Sequence, residues 1–159
     1  MRNEIYKFIK DSEYYCCHVT VPELLEKKLE KHNNKNADFI SQYINLAELT
    51  ALSPDDYGDS KKVTRNNLAA KKMRAIATLI QNDYPEKKNE FMQLLNNSSS
   101  RINVWVAHHM LEVMDYDTDS QRMALDIIEL EANGQGTMAL GNRVWLNDWY
   151  SKNPHTKRT

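Results

Sequence analysis

The sequence predicts an all-α protein made of stacked antiparallel helix pairs. Only four glycines and four prolines interrupt the 159 residues, which is few for a fold that needs many tight turns. Apolar residues instead recur at helical spacing in segments of about 11 to 20 residues. Links of about two to eight residues join these segments, as in bundles and helical repeats. We therefore expect about six to eight helices.

The N-terminal segment allows two interpretations. Its first apolar residues could line a short helix, whereas Tyr14 to Thr20 is rich in Tyr, Cys, Val and Thr and could be extended. A helix from about Val21 to His32 is predicted more clearly. Thr20 can cap it, Pro22 suits its first turn, and Glu23 follows the cap by three residues.

Two longer helices follow. An apolar stripe that starts near Ala37 continues until the turn residues Ser53-Pro54. A second stripe marks one face of a helix from roughly Lys61 to Asn82. Three cations of this helix fall on one flank, at about 100° per residue: Lys61, Arg65 and Lys72.

The centre of the fold is predicted at Arg101 to Met114, with the sequence RINVWVAHHMLEVM. A helix that starts at Pro85 precedes this segment and ends at Asn96-Asn97. Ser98 to Ser100 then offer hydroxyls that can cap the central helix. The central helix has only a narrow polar face, so we expect neighbours on most of its sides.

Two more helices complete the predicted fold. The linker DYDTDS ends with Asp119 and Ser120, either of which can cap the next helix. Asn133-Gly134 predicts a left-handed turn at the end of that helix, and Thr137 can start the last one. We expect residues 155–159 to be frayed.

The composition, with 41% hydrophobic and 27% charged residues, is typical of a soluble globular protein. No apolar run approaches the ~20 residues that span a bilayer, and the N-terminal MRNEIYKFIK lacks the apolar core of a signal peptide. Cys16 and Cys17 are adjacent and cannot form a disulfide framework, so they are either packing thiols or a reactive pair. We expect a single domain in the cytoplasm.

No group of residues predicts catalysis, a cofactor or a metal site. His108 and His109 point about 100° apart on a helix and cannot readily share one metal ion. His108 and Glu112 are four residues apart and could share a site, although a structural or surface role is the simpler interpretation. The three serines lack a nucleophile-elbow motif, and the GQG sequence at 134–136 follows a helix instead of a strand. We expect that the protein is not an enzyme.

Charge is segregated along the chain. Residues 101–133 contain seven acidic and two basic residues, whereas residues 57–91 contain eight basic and four acidic ones. Both segments could simply present solvated helix faces. The alternative is that the acidic segment binds a basic partner, because a field of one sign speeds association and selects partners. Four carboxylates would be the leading contacts: Glu112, Asp115, Asp117 and Asp119.

Aromatic residues near the C-terminal end give a second candidate contact. Trp145 and Trp149 are four residues apart and share one face of the last helix. Trp149, with Tyr150 beside it near the helix end, could anchor a partner protein. Burial in the core is the simpler interpretation of Trp149, and it is the one that we expect for Trp105 in the central helix.

From about residue 37 to residue 154 the chain resembles a family of small bacterial helical proteins that is classed as a domain of unknown function and related to HEAT-like repeats. Four motifs carry the resemblance: GDSKKVTRNNL at 58–68, VWVAHHMLEV at 104–113, ALDIIELEANGQG at 124–136 and ALGNRVWLNDWYS at 139–151. The resemblance implies a HEAT-like α-α superhelix, to which residues 1–36 are an addition. An arginine often stands in that family where this chain has Asn103, so the chain departs from the pattern there.

Members of that family occur among the immunity proteins of bacterial polymorphic and contact-dependent toxin systems. The resemblance therefore implies a protein that binds a cognate toxin domain and occludes its active or substrate-binding site. An acidic surface suits a basic toxin, for example a nuclease. A scaffold without inhibitory role and a nucleic-acid-binding module are the alternatives. A net charge of −1 and a pI of about 6.5 argue against the latter.

Overall fold

The computed structural model describes residues 38–50 and 58–158. The chain divides into two units, Met1–Ala37 and Asp38–Thr159, and all described residues belong to the second. These residues form six α-helices and four short 3-10 helices and contain no strand, so the predicted all-α class is confirmed. The predictions made for residues 1–36, including the single-domain organisation, lie outside the described residues.

Six α-helices follow one another along the described chain: α1 (Phe39–Glu48), α2 (Ser60–Asp83), α3 (Lys88–Gln93), α4 (Ile102–Glu112), α5 (Thr118–Ala132) and α6 (Gly136–Lys152). Short 3-10 helices lie between and after them: Pro85–Lys87, Leu94–Asn96, Ser99–Arg101 and Pro154–Thr156. Helices that follow one another pack together, since α1 contacts α2, α4 contacts α5, and α5 contacts α6. No helix among the described residues has both the length and the apolar character needed to cross a membrane.

The first two helices begin at aspartate caps. The Asp38 carboxylate accepts the backbone N–H of Ser41 at 2.9 Å, and Asp59 accepts those of Lys61 at 2.9 Å and Lys62 at 3.3 Å. Each carboxylate satisfies N–H groups that have no partner within their helix. Most residues of the apolar stripes predicted for these helices are buried: Ile40, Tyr43 and Ala47 on α1, and Ala69, Met73, Ala77 and Ile80 on α2. Ile44 and Ile76, which belong to the same stripes, are half-buried.

Helix α4 lies at the centre of the described fold. Seven of its eleven residues are buried, and it contacts α1, α2, α3 and α5. Two aromatic side chains meet beside it, where the rings of Tyr43 and Phe91 make an edge-to-face contact with centroids 4.9 Å apart. The prediction that this helix has neighbours on most sides is confirmed.

The predicted serine cap of α4 is wrong. Ser99–Arg101 forms a 3-10 helix, and Arg101, not a serine, precedes α4 without a side-chain cap. Ser100 and Arg101 both have left-handed φ angles, 47° and 58°, a conformation that non-glycine residues seldom adopt. The reversal brings the Asn103 N–H to the Asn97 carbonyl oxygen at 2.9 Å. A backbone acceptor therefore satisfies a group that we expected a serine to bind.

The ends of α5 also differ from the prediction. Asp117, and neither Asp119 nor Ser120, is the N-cap. At the other end Asn133 keeps a right-handed conformation and Gly134 is not left-handed, so the predicted turn is wrong. The Arg143 guanidinium caps this end instead, donating to the carbonyl oxygens of Ala132 at 2.6 Å and Gly134 at 3.3 Å. A cation at a helix C-terminus donates to carbonyl oxygens that have no partner within the helix, and it interacts favourably with the helix dipole.

The C-terminal tail, expected to be frayed, makes contacts as far as Arg158. Arg122 on α5 donates to the carbonyl oxygen of Thr156 at 3.1 Å. The Arg158 guanidinium lies 2.8 Å from the Asp126 carboxylate, also on α5. The sequence did not reveal these contacts, because their partners lie more than 30 residues earlier in the chain.

Candidate functional site

The loop between α4 and α5, with the first turn of α5, places three of the predicted contact residues at the surface: Asp115 and Asp117 in the loop, and Asp119 in the helix. Asp117 has an internal role, because its carboxylate accepts the Ser120 N–H at 2.9 Å and the Ser120 hydroxyl at 3.0 Å. These hydrogen bonds lower the pKa of Asp117. Within the part of the chain that the structure describes, neither Asp115 nor Asp119 takes part in an ion pair. Both carboxylates are exposed to solvent.

Hydrogen bonds from two other elements hold this loop. The Asp115 N–H donates to the Gln81 side chain near the end of α2 at 2.9 Å, and the Lys88 ammonium donates to the Asp115 carbonyl oxygen. Lys88 also lies over the Tyr116 ring, 4.6 Å from its centroid, and accepts the Tyr116 hydroxyl at its own carbonyl, 2.8 Å away. The loop is thus a positioned acidic surface.

Glu112, the fourth predicted contact, lies at the surface, but its carboxylate is engaged within the fold. Its carboxylate accepts hydrogen bonds from Arg74 on α2 and, at 2.8 Å, from the Trp145 indole on α6. The His108 imidazole lies 3.8 Å away, one turn earlier on α4. Only 27% of the Glu112 side chain is exposed. Burial raises the pKa of Glu112, but the neighbouring polar groups of His108, Arg74 and Trp145 outweigh it and bring the pKa to about 2.

The aromatic residues of α6 continue from this carboxylate. The His108 ring meets the Trp145 ring edge-on, with centroids 4.5 Å apart, and its Nε2 shares a hydrogen bond of 2.9 Å with Asn142. The Trp145 and Trp149 rings stack at 5.2 Å, so their predicted common face is confirmed. The Trp149 indole donates to the Thr156 hydroxyl at 3.2 Å. Trp149 is therefore half-buried and already engaged on two sides.

Tyr150, the last predicted contact, belongs to a charged cluster between α5 and the tail. Its hydroxyl donates to the Glu129 carboxylate, which also pairs with Arg122 at 2.6 Å. Arg122 in turn pairs with Asp126 at 2.7 Å. Burial and the bond to Glu129 raise the pKa of Tyr150. The Tyr150 hydroxyl is therefore already bonded within the fold, and the cluster links α5, α6 and the tail.

His109 also lies on α4 and packs against Tyr43 of α1. It is buried, and its Nδ1 shares a hydrogen bond of 2.6 Å with the Tyr43 hydroxyl. Burial lowers the pKa of His109 to about 3, so the imidazole is neutral at physiological pH. Among the described residues no group of three or more His, Cys, Asp or Glu side chains could hold a metal ion.

A groove of about 350 Å³ lies between α2 and α4. Seven residues line it: Ala70, Lys71 and Arg74 from α2, and Trp105, His108, His109 and Glu112 from α4. Sequence reasoning missed this arrangement, because it joins residues more than 30 positions apart. The only available signal was the spacing of Trp105, His109 and Glu112, which puts them on one stripe of α4.

No protein-family model, curated protein or solved structure matches this chain. The family resemblance, the HEAT-like likeness and the role that they imply therefore stay predictions. The described residues form an exposed acidic segment, a hydrogen-bonded cluster around Glu112 and a groove between two helices.

Proposed function

We propose that this protein is an immunity protein, which binds a basic toxin domain and occludes its active or substrate-binding site. The observation that carries the proposal is the exposed acidic segment at the start of α5, where Asp115, Asp117 and Asp119 place three carboxylates within five residues. A fixed cluster of one sign attracts and orients a partner of the opposite sign. The role is one of binding, and it requires no catalytic group.

The contacts within the fold narrow the predicted binding surface. The Glu112 carboxylate accepts hydrogen bonds from Arg74 and Trp145, and the Tyr150 hydroxyl donates to Glu129. Both polar groups therefore already have partners within the fold. Asp115 and Asp119 are the principal contacts in this proposal, with Asp117 between them. Hydrogen bonds between Asp115 and the side chains of Gln81 and Lys88 hold the loop in place. Little conformational entropy of the loop therefore has to be lost on binding.

The proposal can be tested by co-expressing the protein with the toxin domain encoded next to its gene. Wild type should restore growth, and the Asp115→Asn, Asp119→Asn double variant should bind the purified toxin about tenfold more weakly at low salt, with a flatter salt dependence. Glu48→Gln with Asp148→Asn removes the same charge from α1 and α6 and should leave affinity unchanged. Absence of rescue, or equal affinity of both double variants, would count against the proposal.

Helix α2 favours a second candidate function, nucleic-acid binding. Lys61 and Arg65 are exposed and Lys72 is half-buried on the predicted flank, and none of the three forms an ion pair within residues 38–50 and 58–158. Such cations could contact phosphates. A gel-shift assay with duplex DNA and RNA at low salt decides the matter, since no retention of either would eliminate this candidate.

A further inference from the structure

The groove between α2 and α4 has features that the proposed toxin contact does not use. Its floor is aromatic and fixed. The Trp105 indole donates to the Thr50 hydroxyl at 3.0 Å, and the ring lies nearly parallel to that of His109, with centroids 6.2 Å apart and 27° between the planes. Opposite them, Ala70 contributes only a methyl group. The groove therefore has an aromatic lining that internal contacts hold in place.

With its two histidines counted as neutral, the groove carries one net positive charge. Arg74 and Glu112 form an ion pair and cancel, and His109 is neutral because burial lowers its pKa to about 3. Lys71 is exposed and forms no ion pair among the described residues. A ligand with a single negative charge would therefore be attracted, and a cation would be repelled.

His109 provides a directed hydrogen-bond donor. The Tyr43 hydroxyl has His109 Nδ1 as its hydrogen-bond partner among the described residues. Tyr43 is fully buried, and we assign its proton to the bond with Nδ1, since a buried donor without an acceptor is costly. The neutral imidazole then carries its own proton on Nε2. No other described residue bonds to this nitrogen, and His109 lines the groove.

We propose that this groove binds a planar aromatic monoanion. The ring lies against Trp105, the anionic group lies between Lys71 and Arg74, and His109 Nε2–H donates to the ligand. The volume of about 350 Å³ lies at the lower end of the range for small-molecule sites, roughly 300–1,000 Å³. A ligand of one or two rings is therefore expected.

Titration of the full chain with benzoate and indole-3-acetate tests this site, with benzamide as the neutral counterpart of benzoate. In ¹⁵N–¹H spectra the Trp105 indole resonance should shift on addition of either acid, whereas that of Trp149, outside the groove, should not. Benzamide should bind about tenfold more weakly than benzoate, because a charged hydrogen bond is lost. No shift at Trp105 with either acid, or equal binding of benzamide, would overturn the proposal.

Two neighbouring lysines provide a matched pair of variants. Lys71→Ala should weaken benzoate binding about tenfold, while Lys72→Ala, which removes the same charge outside the groove, should not. Ala70→Leu should block the groove. Equal effects of the two lysine variants, or unchanged binding in Ala70→Leu, would overturn the assignment.

The proposal does not rest on the proposed toxin contact. The Asp115→Asn, Asp119→Asn variant should therefore bind benzoate as wild type does, and Lys71→Ala should still neutralise the toxin. If the groove binds these acids but the protein does not rescue cells from the toxin, the proposed function fails and the groove proposal still holds.

Discussion

Replacing Glu112 by Gln removes one charge from the contact where α2, α4 and α6 meet. The amide keeps the shape of the side chain and a carbonyl oxygen, so it can still accept the Trp145 indole. What it loses is the charge that faces Arg74 and His108. We expect a destabilised but folded protein, because a favourable ion contact is weakened while no cavity is created.

The size of the effect follows from the pKa of Glu112, which falls from 4.5 to about 2 in the folded protein. A shift of this size corresponds to about 3 kcal/mol of stability at neutral pH if it is fully realised. Solvent screens the pair, since 27% of the Glu112 side chain and 50% of the Arg74 side chain are exposed. We therefore expect Glu112→Gln to lower the free energy of unfolding by about 1–2 kcal/mol at pH 7.

The same linkage predicts how the effect depends on pH. A carboxyl with a lowered folded pKa contributes stability above its unfolded pKa of 4.5, and this contribution disappears as pH falls towards about 2. Urea unfolding of wild type and Glu112→Gln should therefore show a constant difference above pH 5 that shrinks on acidification to pH 2. Tryptophan fluorescence suits the assay, because Trp145 touches the altered group.

Glu48→Gln is the matched control, since it removes an exposed carboxylate from α1. It should change the free energy of unfolding by no more than about 0.5 kcal/mol. Equal stability of Glu112→Gln and wild type at pH 7 would refute the role assigned to this carboxylate. So would a difference between them that stays constant from pH 7 to pH 2.

Three further variants test other contacts by urea unfolding at pH 7. Tyr43→Phe deletes a buried hydrogen bond and should cost about 1–2 kcal/mol, whereas Tyr84→Phe, with no hydroxyl contact among the described residues, should cost little. Asp117→Ala removes the cap of α5 and should cost about 1 kcal/mol, and Asp119→Ala should be nearly neutral. Phe91→Ala opens a cavity in the core and should cost about 3–5 kcal/mol. A cap variant as stable as its control, or a core variant that loses under 1 kcal/mol, would contradict the corresponding contact.

Helix extents could be read from the sequence because helical periodicity is a local property. The helix predicted from Lys61 to Asn82 spans Ser60–Asp83, and the central one predicted from Arg101 to Met114 spans Ile102–Glu112. Helix ends were less predictable, because several residues within one turn could each act as a cap. Asp117, Asp119 and Ser120 all lie within four positions, and the sequence alone does not say which has the required backbone geometry.

The contacts of Glu112 could not be predicted in the same way. Only His108, four residues earlier, was readable from helical spacing. Arg74 and Trp145 lie 38 and 33 residues away, and nothing in either segment specifies that they meet. From the sequence we grouped Glu112 with the acidic residues that follow it. In the structure, the packing of three helices brings its carboxylate to the Arg74 guanidinium and the Trp145 indole.

The charge segregation in the sequence is partly a consequence of this packing. Two acids of the segment 101–133 pair with cations from outside it, Glu112 with Arg74 and Asp126 with Arg158. Others pair within the segment, as Glu131 does with Arg101. A net charge counted along the chain therefore overstates the field at the surface. The electrostatic argument for a basic partner now depends on the loop carboxylates alone, which makes it weaker in magnitude but specific to one place on the protein.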